Sequence, residues 1–119
     1  MKKTMVLGAS PHSYRYSNIA VHRLLAHGHE VVPVGIHSGT IAGIPILTGQ
    51  PPAEGIDTVT LYLNPQHQEQ YYQYILSLKP KRIIFNPGAE NPQLMRLARE
   101  RGIETEIACT LVMLSVQLY

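Results

Sequence analysis

Five short aliphatic and β-branched runs punctuate this chain, and stretches with helical spacing separate them. Thr4 to Leu7 is apolar and stops at Gly8-Ala9-Ser10-Pro11, the pattern of a buried strand entering a loop. The loop is expected to continue through Tyr16. Ser17 or Asn18 then stands ready to cap a helix whose Val21, Leu24 and Leu25 share one face. Gly28 is placed to stop it, and Glu30 to Val34 reads as the second strand. The first 35 residues thus spell strand, loop, helix, strand.

The pattern then repeats. Gly35 to Gly55 is rich in Gly and Pro, with room for a short edge strand at Gly43 to Leu47. Asp57 to Leu63 reads as a strand ending at Asn64-Pro65, and an Asn cap with Pro at the first helical position is a strong helix start. Tyr71, Ile75 and Leu78 mark the inner face of a helix ending before Pro80. Arg82 to Phe85 is the next strand, Asn91-Pro92 the next helix start, and Leu94, Leu97 and Ala98 its buried face, with Gly102 as the stop. Glu104 to Cys109 is expected to be the last strand and Leu111 to Leu118 a terminal apolar helix.

Strands alternating with helices at this spacing predict an α/β fold, a mostly parallel sheet with helices on both faces. Right-handed crossovers make it doubly wound and Rossmann-like, with a crevice where the strands end. Three loops meet at that edge: Gly8 to Ser17, Tyr62 to Pro65, and Asn86 to Asn91. No linker or repeat interrupts the pattern, so residues 1–119 are expected to form one domain.

Composition narrows the function. Ten Lys and Arg against eight Asp and Glu give a net charge of +2, too mild for a dedicated nucleic-acid binder. The single cysteine, Cys109, excludes an internal disulfide framework and suits a reducing cytosol. No apolar run approaches the roughly 20 residues of a membrane span. The Met1 to Gly8 opening is too short in its apolar part for a secretion signal, so a cytoplasmic protein is expected.

The first loop has the position of a dinucleotide phosphate loop. A glycine there admits a ligand to the backbone, and the next helix offers free N–H groups and the positive end of its dipole. Of the G-x-G-x-x-G fingerprint only Gly8 is present, and no G-K-[ST] occurs. The acid that holds a ribose in NAD sites is also missing, because the second strand runs into Val34-Gly35-Ile36-His37. Alone, Gly8-Ala9-Ser10 is equally a plain tight turn.

The succession of segments is more specific. Val6 to Ser10, Arg15 and Ser17, His27 to Val34, Gly43 to Ile46, Asp57 to Tyr62, Asn86 to Asn91, and Gly102 before a strand ending at Cys109 together resemble the small CoA-binding domain proteins. They are similar to the N-terminal CoA-binding domain of succinyl-CoA synthetase α subunits. The resemblance covers almost the whole chain and implies a domain that binds coenzyme A rather than a complete ligase. It implies that Gly8, Ala9, Ser10, Arg15 and Ser17 meet the CoA phosphates, and that Val34, Gly35 and His37 meet the adenosine end. Tyr62, Asn64 and Pro65 then line the adenine or pantetheine path, with Pro87, Gly88 and Glu90 near the end of the pantetheine arm. Family members commonly place a basic stretch such as Asn-Pro-Lys after the second strand. This chain has Gly35-Ile36-His37-Ser38 there and no Lys or Arg between Arg23 and Lys79.

Other residues carry plainer readings. His27 and His29 lack the spacing and companions of metal ligands, and surface histidines at a turn account for them. Cys109 has apolar flanks that fit a buried small hydrophobe. Glu90 suits the dipole of the following helix, and no second group is at hand for general-base work. The expectation is a binding protein for CoA or acyl-CoA, or a related adenine nucleotide, without chemistry of its own. The alternatives are a transferase or ligase fragment using Glu90 or Cys109, and a family member that has lost its site and serves in assembly. Neither nucleic acid nor membrane is an expected partner. The tyrosine-rich helix and the apolar C-terminal run leave room for a homo-oligomer, although the run is expected to fold back onto the sheet.

Overall fold

The computed structural model describes residues Met1–Tyr119. Four four-residue strands, β1 (Thr4–Leu7), β2 (Val31–Val34), β5 (Thr58–Leu61) and β6 (Arg82–Phe85), are joined by a fifth, β7 (Glu104–Ile107). They form one parallel sheet in the order β2-β1-β5-β6-β7. The chain winds outward from β1 to β2 and then returns to the other side of β1. This reversal sets the switch point between β1 and β5, where such sheets open a crevice. The fold is the expected Rossmann-like α/β arrangement.

Helix α1 (Tyr16–Ala26) and α5 (Thr110–Ser115) cover one face of the sheet; α2 (Pro65–Gln68), α3 (Tyr72–Ser77) and α4 (Pro92–Glu100) cover the other. Side chains alternate along each strand. Met5, Leu7, Val59, Leu61, Ile83 and Phe85 enter the larger core, while Val6 enters the smaller one with Val21, Leu24 and Leu114. Each such fully buried aliphatic or aromatic side chain contributes about 1.5–3 kcal/mol. No helix is long and apolar enough to cross a membrane.

Local signals at the helix ends act as expected at two sites. Asn64 accepts a hydrogen bond from the His67 N–H at 2.9 Å, and Asn91 from the Leu94 N–H at 3.1 Å, each with Pro next in the chain. At α1 the expectation fails. Its cap is Arg15, without a side-chain bond, and Ser17 and Asn18 lie inside the helix, buried. The Asn18 amide instead donates to the Ser10 carbonyl at 2.9 Å, so a tertiary bond to the first loop takes the group that sequence assigned to a cap.

Six further segments differ from their sequence patterns. The single helix expected after Asn64-Pro65 is broken by a 3₁₀ turn at Glu69–Tyr71. The Gly43 to Leu47 segment is not an edge strand of its own. Thr40–Ile41 (β3) and Ile44–Pro45 (β4) form a small antiparallel hairpin, after which Leu47 makes one parallel bridge to Val34. The strands expected at Glu30, Asp57 and Glu104 are shorter than their apolar patterns. The terminal helix ends at Ser115 and does fold back, with Met113 and Leu114 buried.

The N-terminal edge of the sheet is closed by side chains. The Tyr119 ring lies 4.5 Å from the Arg82 guanidinium carbon, 4.9 Å from the His29 ring and 5.5 Å from the Lys2 ammonium. Its hydroxyl is hydrogen-bonded to that of Thr4. Arg82 is 7% exposed; its Nε donates to Thr58 at 3.1 Å, Glu106 stands 3.9 Å from Nη1, and Nη2 is buried without a partner.

Candidate functional site

At the other edge the strands end in loops, and these loops enclose a cleft of about 590 Å³. Its floor is backbone. Gly8, at φ +102°, passes so near the next strand that a Cβ would stand 3.0 Å from the Tyr62 carbonyl carbon. At Gly35 a Cβ would stand 2.1 Å from the Ala9 oxygen. Only glycine permits both approaches.

Counting amide groups shows where an anion can dock. The Gly8 and Ala9 N–H groups both donate to the Val34 carbonyl, at 2.8 and 2.9 Å, and are therefore engaged. The N–H groups of Tyr16 and Ser17, in the first turn of α1, have no partner within the protein. They carry the positive end of an 11-residue helix. Arg15, exposed, sits directly before them.

Two buried polar networks hold the loops from below. The Asn86 amide donates to the Thr60 hydroxyl at 2.6 Å and to the Leu61 carbonyl at 2.9 Å, while its oxygen accepts from the Thr110 N–H at 2.8 Å. This joins β5, β6 and the start of α5. Gln68, wholly buried, donates to the Leu63 and Ala89 carbonyls, both at 2.8 Å, and accepts from Asn91 at 2.9 Å. Asn91 also donates to the Tyr72 hydroxyl at 2.8 Å. The loops after β5 and β6 are thus one unit.

Of the residues expected from sequence, Gly8, Ala9, Ser10, Arg15, Ser17, Gly35, His37, Tyr62, Asn64, Pro87 and Gly88 line the cleft. Val34, Pro65 and Glu90 do not. Val34 is a fully buried strand residue that contributes only its carbonyl. Pro65 is the exposed first residue of α2. Glu90 is exposed and accepts from the Gly88 N–H at 2.7 Å, within its own loop. Tyr62 lines the cleft, but its hydroxyl is buried without a partner. Burial is the main cause that holds the phenol well above its ordinary range, so it stays neutral.

His12, Tyr16, Ile36, Leu63 and Ala89, which lie within the segments read from sequence, also line the cleft, as do His67 and Tyr71, which sequence reasoning passed over. The signal available was position alone: each sits within about a turn and a half of a strand end or helix start. Cys109, expected to be buried, is half-buried and lies outside the cleft lining. The rings of His27 and His29 are bonded to the Arg23 carbonyl and the Lys2 N–H, at 2.8 and 2.9 Å. No group of three His, Cys, Asp or Glu side chains is arranged to hold a metal ion.

Comparison with models of protein families matches residues 2–115 to the family described as a CoA binding domain. Among solved structures, that of an uncharacterized protein is 55% identical with a TM-score of 0.98, and the match covers 100% of this chain and 98% of that one. A hypothetical protein from Pyrococcus horikoshii OT3 is 26% identical with a TM-score of 0.86, over 98% of this chain and 83% of that one. A conserved hypothetical protein from Pyrococcus furiosus is 25% identical with a TM-score of 0.76, over 89% and 92% respectively. No curated protein matches.

Proposed function

Because the chain belongs to the CoA-binding domain family, we propose that it binds coenzyme A, free or acylated, in the cleft at the C-terminal edge of its sheet. The observation that carries this reading is the pairing of the unbonded Tyr16 and Ser17 amides with Arg15, beside a cleft whose lining holds no carboxylate. An anion meets donors and positive charge there, and no opposing charge.

Under this reading the pyrophosphate docks on the start of α1 and not on Gly8 and Ala9, whose amides are engaged by Val34. These two residues supply a floor that the ligand can approach closely. The adenosine end lies by Gly35 to His37, and the pantetheine arm passes Tyr62 and Asn64 toward Pro87 and Gly88. Binding without chemistry is supported by the placement of the two candidate reactive groups. Glu90 is turned to the Gly88 amide, and Cys109 is not part of the lining.

Isothermal titration with CoA, dephospho-CoA and NAD tests the proposal. CoA is expected to bind and NAD not to, because no acid stands at the end of β2 to hold its ribose. A preference for CoA over dephospho-CoA would mean that the 3′-phosphate is read. Binding of NAD alone, or of none of the three, would overturn the proposal.

A further inference from the structure

The cleft has an unusual supply of charge for a phosphate site. Among its 18 lining residues are three histidines, His12, His37 and His67, one arginine, Arg15, and no Lys, Asp or Glu. The histidines come from three separate segments: the loop after β1, the turn after β2, and the first turn of α2. All three are exposed. None of their ring nitrogens makes a hydrogen bond within the protein, in contrast to His27 and His29, whose rings are bonded to backbone.

Resting on the CoA reading above, we infer that His12, His37 and His67 provide the charge by which this cleft holds phosphate, so that the ligand is taken up together with protons. Histidine as a residue type changes charge near neutrality, and a phosphate beside it favours the charged form. A neutral imidazole offers a phosphate one N–H; the protonated ring offers two and a full charge. The His12 ring stacks on Tyr14 with centroids 5.5 Å apart, and the Arg15 guanidinium leans on the same ring at 6.0 Å. An aromatic face tolerates a cation on His12 even with Arg15 close by.

The surroundings of the three rings match this assignment. The loop after β1 and the start of α1 present Arg15 and the Tyr16 phenol; the 3₁₀ turn presents Tyr71; the exit of β5 presents Tyr62; the turn after β2 presents no other ionisable group. The loop after β6 presents none in the lining, and its Glu90 is bonded to Gly88. Phenols do not change charge in the histidine range. Without carboxylates, the imidazoles have no acidic partner until a ligand brings one.

The sign follows from linkage. The complex holds more protons than the free protein, so affinity rises as pH falls through the histidine range and levels off once the free rings are charged. The test is titration calorimetry between pH 5.5 and 8.5 at constant ionic strength, in two buffers of different ionisation enthalpy. Dephospho-CoA is the key probe, because its diphosphate diester keeps its charge over that range while the 3′-phosphate of CoA does not.

Dephospho-CoA is expected to bind roughly tenfold tighter at pH 6 than at pH 8, with about one proton taken up. Replacing all three histidines (His12→Gln, His37→Gln, His67→Gln) should flatten the profile and remove the proton uptake, so that affinity no longer differs between pH 6 and pH 8. The core is untouched, since all three side chains are exposed. Arg15→Gln should weaken binding at every pH and keep the slope. Binding with a flat profile and no proton uptake would overturn this inference and leave the CoA reading standing. Absence of binding by CoA and dephospho-CoA at every pH would overturn both.

Discussion

The two edges of this sheet are finished in opposite ways. At the N-terminal edge the gap is filled by side chains: Tyr119 lies across β1 and β6, with Arg82, His29 and Lys2 around its ring. At the C-terminal edge side chains are withheld. Gly8 and Gly35 let neighbouring backbone segments pass so closely that no side chain fits between them, and the polar groups that hold the loops, Asn86 and Gln68, are buried. One edge is stable because it is covered; the other stays open because its support comes from below. A parallel sheet obtains a binding surface by leaving one edge uncovered.

The comparison breaks most sharply at Asn86. Asn86→Ala leaves the Thr110 N–H and the Leu61 carbonyl without their partner in a buried place, which should cost about 3–5 kcal/mol in a urea unfolding series. If the loss is under about 1 kcal/mol, the open edge is not held from beneath by this residue. Gly35→Ala comes next, at about 3 kcal/mol, because its methyl group meets the Ala9 oxygen. This variant should also lose the ligand, since the floor must move.

Tyr119→Ala, at the covered edge, should cost about 2 kcal/mol through lost packing and cation–π contact. Ligand affinity should be unchanged, and a change there would show that the two edges communicate. Arg15→Gln should do the reverse, weakening CoA by roughly tenfold in calorimetry while the unfolding midpoint stays where it was.

The smallest effect uses acidity to separate the edges. Burial, aided by neighbouring positive charges including His27, Lys2 and Arg82, lowers the pKa of His29 from 6.5. As pH falls through 6.5 the unfolded chain therefore takes up a proton that the folded chain refuses. The contribution of His29 to stability is full above that pH and declines toward the lowered folded value. Melting at pH 7.5 and 5.5 should show a smaller acid loss in His29→Gln than in the unaltered protein. Acid would then loosen the covered edge while tightening ligand binding at the open one.

What could be read from sequence follows the same division. β1 and β6 were legible to the residue, as were the helix starts at Asn64-Pro65 and Asn91-Pro92, because hydrophobic runs and Asn-Pro caps are local signals. The 3₁₀ turn at Glu69–Tyr71 was not legible, nor was the burial of Gln68, which answers to carbonyls of Leu63 and Ala89 in two other loops. Nor was the loss of the Ser17 or Asn18 cap, which depends on a bond from Asn18 to Ser10. The glycine loops of the cleft could be seen from their position after strands. His67 could not, because it is an exposed polar residue 55 positions from His12 that only the completed fold brings to the same cleft.

The division of labour among the first-loop amides has a consequence for exchange with heavy water. The Gly8 and Ala9 protons, bonded to the Val34 oxygen, should leave the protein slowly whether or not ligand is present, and so serve as an internal clock. Those of Tyr16 and Ser17, without partners, should exchange fast in the free protein and slow down only when a phosphate accepts them. A single pair of spectra would then mark, amide by amide, where the ligand rests and where the sheet ends.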